Sequence, residues 1–183
     1  MPAYDSRYDS DLVPQRLPKV PLWRRGSALL IDFLVASALS ALIGFSPAAR
    51  AVIFLMAWLG LRVLIVSKNQ GQSLGRWALD MKVIHAKLGG TPLLTELAKR
   101  EGVLGFNCLL MLMGLVNLSP TAAWALILPL PLAIDCGLAL IDLEYNQAFH
   151  DRLAQTLVVQ SRRGYSLDLR LKKLFVQVQR RMR

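Results

Sequence analysis

The sequence predicts an all-α integral membrane protein, a bundle of four transmembrane helices with a small cytoplasmic cap made of a short two-stranded sheet and interfacial helices. Hydrophobic residues make up 54% of the 183 residues and charged residues only 19%, and the mean hydropathy is +0.40. This composition is too apolar for an ordinary soluble domain. The apolar residues also fall in segments that are long enough to cross a bilayer.

Four apolar segments are candidates for the spanning helices, each near the ~20 residues that one crossing needs. Uncharged residues run without interruption from 102 to 134, too far for a single crossing, and Asn117 to Pro120 supplies turn residues near the middle. Pro129 and Pro131 predict a kink in the last helix. The predicted spans are residues 27–45, 48–67, 102–118 and 121–141.

The basic residues are distributed unevenly between the connections. Five Lys or Arg residues lie at or before Arg25, six lie from Lys68 to Arg100, and nine follow Asp142. The two short connections, between spans one and two and between spans three and four, hold only Arg50. Because cytoplasmic connections carry the excess of Lys and Arg, both termini are predicted to be cytoplasmic, in a bacterial inner membrane or a thylakoid.

The flanks differ from the membrane domain, which is predicted over residues 23–160. Residues 1–22 hold four prolines and are predicted to be a flexible arm. Residues 161–183 have the pattern of a basic amphipathic helix. The net charge of +10 lies mostly beside the apolar segments, so anionic lipid headgroups are the expected partner and nucleic acid is not. The tail residues expected to contact lipid or a partner protein are Arg170, Lys172, Lys173, Arg180 and Arg181.

Two short segments outside the spans have strand-like composition. They are Met81 to His85 and Thr156 to Gln160. Because each is too short to be stable alone, we expect them to pair as a small cytoplasmic sheet. Between them, Thr91 to Glu101 predicts a short helix at the membrane interface.

Ionisable residues at membrane depth are the main candidates for function, since an unpaired charge in lipid is costly. Asp32, Arg62 and Asp135 fall at similar depth on the predicted topology, and Arg25 lies two helical turns from Asp32 on the same face. We expect one buried cluster of these residues, with Arg25 near its mouth.

This cluster has three interpretations. Arg62 bridges the two aspartates and joins three helices, or the extra carboxylate binds a cation or proton, or Arg62 simply extends to the headgroups. We prefer the first interpretation, in which Arg62 has a structural role.

Two enzyme-like patterns carry little weight. Gly71 to Gly75 matches the Gly-x-Ser-x-Gly nucleophile elbow, but the strand, helix and triad that this motif needs are missing from the sequence context. His85 and His150 do not have the spacing of metal ligands. His150 is expected to be a structural hydrogen-bonding residue beside Asp151. The sequence therefore predicts no catalytic residue, no metal and no cofactor.

Four motifs in chain order resemble those of the RDD family, and the chain is identified as a member of it from Arg25 to about Val159. Arg25 to Asp32 resembles the family's first-helix motif, and Gly71 to Arg76 resembles its Gly-Gln-Thr-Leu-Gly-Lys segment. The other two are similar to its Arg-Glu pair and its terminal His-Asp-Arg-Leu-Ala-Gly-Thr-x-Val-Val. The cap residues matching these motifs are Gly71, Gln72, Gly75, Arg76, Arg100, His150, Asp151, Arg152 and Thr156.

The chain departs from the family pattern at Ser73, where threonine is usual, and at Gln155, where glycine is usual. The second family aspartate corresponds to Asp135 or to Asp151. Asp151 and its neighbour Arg152 are expected to cap helix ends or to pair with an arginine beneath the bundle, either Arg76 or Arg100. Residues 60–63 and 68–75 are similar to those of cyanobacterial members.

The resemblance implies a small membrane protein, and cation/proton antiport has been suggested for some members. Two functions follow. The first is a non-catalytic accessory subunit or assembly and stabilisation factor of a larger membrane protein complex. The alternative is an ion or small-solute transporter of the cation/proton exchange type, which uses Asp32 and Asp135. The first is preferred, because the buried charges nearly neutralise one another and much basic surface is predicted on one side.

Overall fold

A computed structural model describes residues 19–142 and 144–161 of the protein. These residues form a mostly helical fold with one small sheet. The elements are α1 (Leu22–Ile43), α2 (Pro47–Leu59), a π-helical turn (Gly60–Leu64), α3 (Ile65–Lys68), α4 (Leu74–Ala78), β1 (Met81–His85), α5 (Leu94–Asn117), a 3-10 helix (Ala123–Ile127), α6 (Leu130–Ile141), α7 (Phe149–Leu153) and β2 (Thr156–Gln160). Most of the predicted arm and the five basic tail residues, Arg170, Lys172, Lys173, Arg180 and Arg181, lie outside the described residues.

Within the described part of the chain, three helical segments are long and apolar enough to cross a membrane. They are Leu22–Ile43, Pro47–Lys68 and Ala123–Ile141. Their outward faces carry large apolar side chains such as Leu42 and Met56. Side chains of this kind are stable against hydrocarbon and unfavourable against water.

The predicted interfacial helix and the predicted third span form one continuous helix. Residues 91–101 and 102–118 were expected to be separate, but α5 runs continuously from Leu94 to Asn117. Its start is stabilised by the Glu96 carboxylate, which accepts a hydrogen bond from the backbone N–H of Leu93. The helix continues through Arg100 and Glu101 because both side chains are buried in ion pairs rather than directed to water.

At Pro129 and Pro131, where a kink was predicted, the structure has a break between two helical segments. The chain forms a 3-10 helix over Ala123–Ile127, and α6 begins at Leu130. Pro131 occupies the first turn of α6, where its missing N–H leaves no hydrogen bond unmade. The expected span over 121–141 is thus two helical segments rather than one bent α-helix.

The two predicted strands form with the predicted bounds, and they pair antiparallel. Met81 lies opposite Gln160, and His85 lies opposite Thr156. The predicted pairing is therefore confirmed. We call the elements outside the long helices, α4, β1, α7 and β2, the cap.

The main core joins α1, α2 and α5. Phe33, Phe54, Trp58, Leu104 and Cys108 are all buried there. The rings of Phe33 and Phe54 meet edge to face with 5.9 Å between centroids, and those of Phe54 and Trp58 stack at 5.8 Å. Cys108 is a packing residue within this core, as its apolar sequence context indicates.

Candidate functional site

A π-helical turn places Arg62 in the interior. The backbone N–H of Ile65 donates to the carbonyl of Gly60, five residues back. Such turns are rare in proteins, and many of those that occur lie at functional sites. The Arg62 guanidinium is buried and lies 4.8 Å from the centroid of the Trp58 ring. Arg62 therefore does not extend to the headgroups, which removes the third interpretation of this residue.

Asp32 lies on α1 and holds α4, the first element of the cap, against that helix. Its Oδ2 accepts hydrogen bonds from Arg62 Nη1 at 2.7 Å and from Ser73 Oγ at 2.6 Å. Its Oδ1 accepts from the backbone N–H of Gly75 at 2.7 Å. A Cβ atom at Gly75 would lie 2.1 Å from the carbonyl oxygen of Ala28. Glycine is thus required for α4 to approach α1 closely enough to make these bonds.

Glu101 is the centre of the charge network. Its fully buried carboxylate accepts from Arg62 Nε at 2.7 Å, from Arg76 Nη2 at 2.7 Å and from Arg100 Nη1 at 2.5 Å. Sequence reasoning used Glu101 only as half of an Arg-Glu motif and did not place it in the cluster. That motif was the available signal, because a charged pair inside an apolar helix needs partners.

Asp151 joins α7 to α1 and α5. Its Oδ1 accepts from Nε and Nη2 of Arg100 at 2.8 and 2.6 Å. The Arg25 guanidinium contacts the other oxygen of Asp151 and the carbonyl of Asn146. Burial raises the pKa of Asp151, but the charges of Arg100, His150 and Arg25 outweigh it and hold that pKa far below its ordinary value. Arg76 and Arg100 were the two arginines expected to pair with Asp151. In the structure Asp151 pairs with Arg100.

Asp135 does not contact Arg62, so the expected single cluster is wrong at this position. His150 Nδ1 lies 2.8 Å from Asp135 Oδ2, and the His150 backbone N–H donates to Oδ1 at 3.0 Å. Asn107 adds a weak hydrogen bond at 3.4 Å. The reason is helix packing. α6, which carries Asp135, lies against α5 and α7, which carry Asn107 and His150. His150 also lies 3.6 Å from Asp151, so it connects Asp135 to the charges around Glu101.

Arg76 has one hydrogen-bonding group without a partner. Its Nη2 binds Glu101, but its Nη1 is buried and makes no hydrogen bond. Burial lowers the pKa of Arg76 to about 9, and the neighbouring charges of Arg62 and Arg100 act in the same direction. A buried cationic donor left unpaired is costly.

The remaining motif residues shape the cap. Gly71 has a φ of +85°, which favours glycine. Gln72 is buried and donates to the carbonyl of Met81 at 2.9 Å. Thr156 donates to the backbone carbonyl of Asp151 at 3.4 Å. Arg152 is different, because its side chain is half exposed and lies 3.4 Å from Asp142 on the surface.

A cavity of about 340 Å³ adjoins these charges. Arg25, Arg62, Arg76 and Arg100 all contribute to its wall. The other walls come mainly from apolar residues of α1 and α6. The seven residues Arg25, Asp32, Arg62, Arg76, Arg100, Glu101 and Asp151 are called the ion-pair network below.

Comparison with known proteins gives one match. The RDD family model matches residues 19–155, which include the whole ion-pair network. Searches of curated proteins and of solved structures returned no match. The family match carries no source organism, so the similarity to cyanobacterial members stays an expectation.

Proposed function

Because the chain belongs to the RDD family of membrane proteins, we propose that it is a non-catalytic accessory subunit or assembly and stabilisation factor of a larger membrane protein complex. One observation carries the proposal. Four buried carboxylates of the long helices and α7, those of Asp32, Glu101, Asp135 and Asp151, are all engaged by arginine, histidine, serine or backbone donors. Their bonds join helices to one another and to the cap, which is a scaffolding role.

We place α5 as the fourth spanning helix. Its segment from Gly102 onwards carries no charge, and it packs against α2 and α6. Four crossings put the arm, the cap and the tail on one side. That side is the cytoplasm under the rule that Lys and Arg are retained there, in a bacterial inner membrane or a thylakoid.

The cap offers apolar surface for a partner. Leu74 and Trp77 of α4 are 45% and 58% exposed, and Phe149 and Leu153 of α7 are 48% and 52% exposed. Exposed apolar patches outside a spanning region mark contacts with proteins or with the membrane surface. The basic tail adds electrostatic attraction to an acidic partner or to anionic headgroups.

The test is native electrophoresis of a gentle detergent extract. The full chain is expected to comigrate with a large complex, and deletion of residues 164–183 is expected to release it. A matched control keeps the tail length but replaces Arg170, Lys172, Lys173, Arg180 and Arg181 with Gln, which separates charge from length. Migration of the full chain only as a small free species would contradict the proposal.

A second function, cation/proton exchange, is favoured by one contact. Asp135 lies on a helix that is apolar enough to span the membrane, and it touches the imidazole of His150. Contacts between histidine and carboxylate side chains within a membrane are typical of proton relays. Reconstituted vesicles would then show cation-driven proton movement that Asp135→Asn or Asp32→Asn abolishes, with folding verified separately. Unchanged flux in both folded variants would exclude these aspartates as the site, and the absence of cation-driven proton movement with wild-type protein would exclude the function.

A further inference from the structure

The cavity beside the ion-pair network has an unbalanced charge. Four arginines line it, Arg25, Arg62, Arg76 and Arg100, together with His150, and its described lining contains no carboxylate. The ion-pair network has these four arginines and three carboxylates, and a further buried acid, Asp135, is paired with His150. The cavity is therefore complementary to an anion and unfavourable for a cation.

One of the arginines beside this cavity is only partly paired. Arg76 is only 3% exposed and lines the cavity, and its Nη1 is buried without a hydrogen bond. Buried polar groups almost always have a partner. Since the carboxylate of Glu101 is already shared by three arginines, the positive charge of Arg76 is only partly compensated.

The remaining walls are apolar. On one side they include Gly26 and Leu29 of α1, and on the other Ala133, Gly137 and Leu140 of α6. α1 packs mainly against α2 and α4, while α6 packs against α5 and α7. The space between α1 and α6 is thus bounded by small and aliphatic side chains and has a suitable lining for a hydrocarbon chain.

We propose that this cavity binds one anionic phospholipid, with its phosphate attracted by the positive charges of the lining arginines and an acyl chain lying between α1 and α6. The phosphate chemistry by itself is shared with a free phosphate ion. The apolar walls favour the lipid, because a free ion would leave them without a partner. The site differs from the basic tail, which offers charge without a cavity, and it does not depend on the partner complex proposed above.

The test is native mass spectrometry of the full chain in detergent, titrated with phosphatidylglycerol or phosphatidylcholine. Wild-type protein is expected to retain one phosphatidylglycerol, about tenfold more tightly than phosphatidylcholine, because both lipids carry the phosphate but choline adds a cation beside the arginines. Arg76→Gln removes one of the four positive charges beside the cavity and is expected to lower this affinity about tenfold.

A second variant avoids the ion pairs altogether. A Cβ atom added at Gly137 meets no atom within 4 Å, so Gly137→Leu projects into the open space that the acyl chain would occupy. It is expected to lower phosphatidylglycerol retention without lowering thermal stability. Gly102→Leu is the matched control, because Gly102 also has free space around it and does not line the cavity.

Three outcomes overturn the proposal. The first is wild-type retention of phosphatidylglycerol in Gly137→Leu. The second is equal retention of the two lipids by wild-type protein. The third is displacement of bound phosphatidylglycerol by millimolar inorganic phosphate, which would assign the Arg76 site to a free anion instead. Loss of retention in Gly137→Leu but not in Gly102→Leu supports the lipid site.

Discussion

The Nη1 atom of Arg62 lies 2.7 Å from Oδ2 of Asp32, and both side chains are buried. The two residues come from different helices, so their ion pair connects α1 to the π-helical turn that follows α2. Removal of one partner from a buried ion pair typically costs about 3–5 kcal/mol, because the other charge is left uncompensated. This pair and its neighbours therefore hold the relative position of the long helices.

Asp32→Asn is expected to lower the free energy of unfolding by about 3 kcal/mol, since Arg62 loses a charged partner. Thermal unfolding in detergent measures the effect. Arg62→Gln and the double variant complete a cycle, in which the double variant is expected to lose clearly less than the sum of the single losses. Strictly additive losses would contradict a direct coupling.

Gly75→Ala is expected to destabilise the protein by about 2 kcal/mol or more, because the added methyl group would meet the carbonyl oxygen of Ala28 at 2.1 Å. Gly102→Ala is the matched control. Its added Cβ meets nothing within 4 Å, and alanine is the better helix former by about 0.8–1.0 kcal/mol. The same unfolding measurement should therefore move in opposite directions for the two variants.

The stability of the protein is expected to fall in acid through Asp151. Its pKa in the folded state lies below the ordinary value of 3.8, so its contribution is fully present above pH 3.8 and is lost as the pH falls towards the folded value. Unfolding midpoints measured over this range should decrease with decreasing pH. Asp151→Asn should be less stable at neutral pH and should show a flatter decrease, whereas an unchanged slope would assign the acid sensitivity to other groups.

Gln155→Gly is expected to stabilise the protein by about 0.5–1 kcal/mol. Gln155 has a φ of +50°, a conformation that is strained for a side chain with a Cβ atom and is free of strain for glycine. Gln160→Gly is the control, because Gln160 lies in β2, where glycine weakens a strand. A loss of stability in both variants would show that the strain at Gln155 is negligible. This position is also where the chain lacks the family's usual glycine.

The fold was predictable where a local property decides it. Apolar segments of sufficient length identify the spanning candidates, because the thickness of hydrocarbon sets the number of residues that a helix needs. The strands Met81–His85 and Thr156–Gln160 were predictable in the same way, from β-branched composition and from the instability of either one alone. For Asp151 the sequence left open a helix cap or a pair with Arg76 or Arg100, and the structure pairs it with Arg100.

The sequence by itself therefore determined a mostly helical membrane protein of the RDD family, because hydropathy and motifs are read along the chain. Only the tertiary structure decided which charges meet: Glu101 became the shared acceptor, and Asp135 was paired with His150 instead of Arg62. The reason is geometric. An ion pair depends on distances of about 3 Å between residues far apart in sequence, and those distances are set by helix packing and by a π-helical turn that hydropathy does not encode.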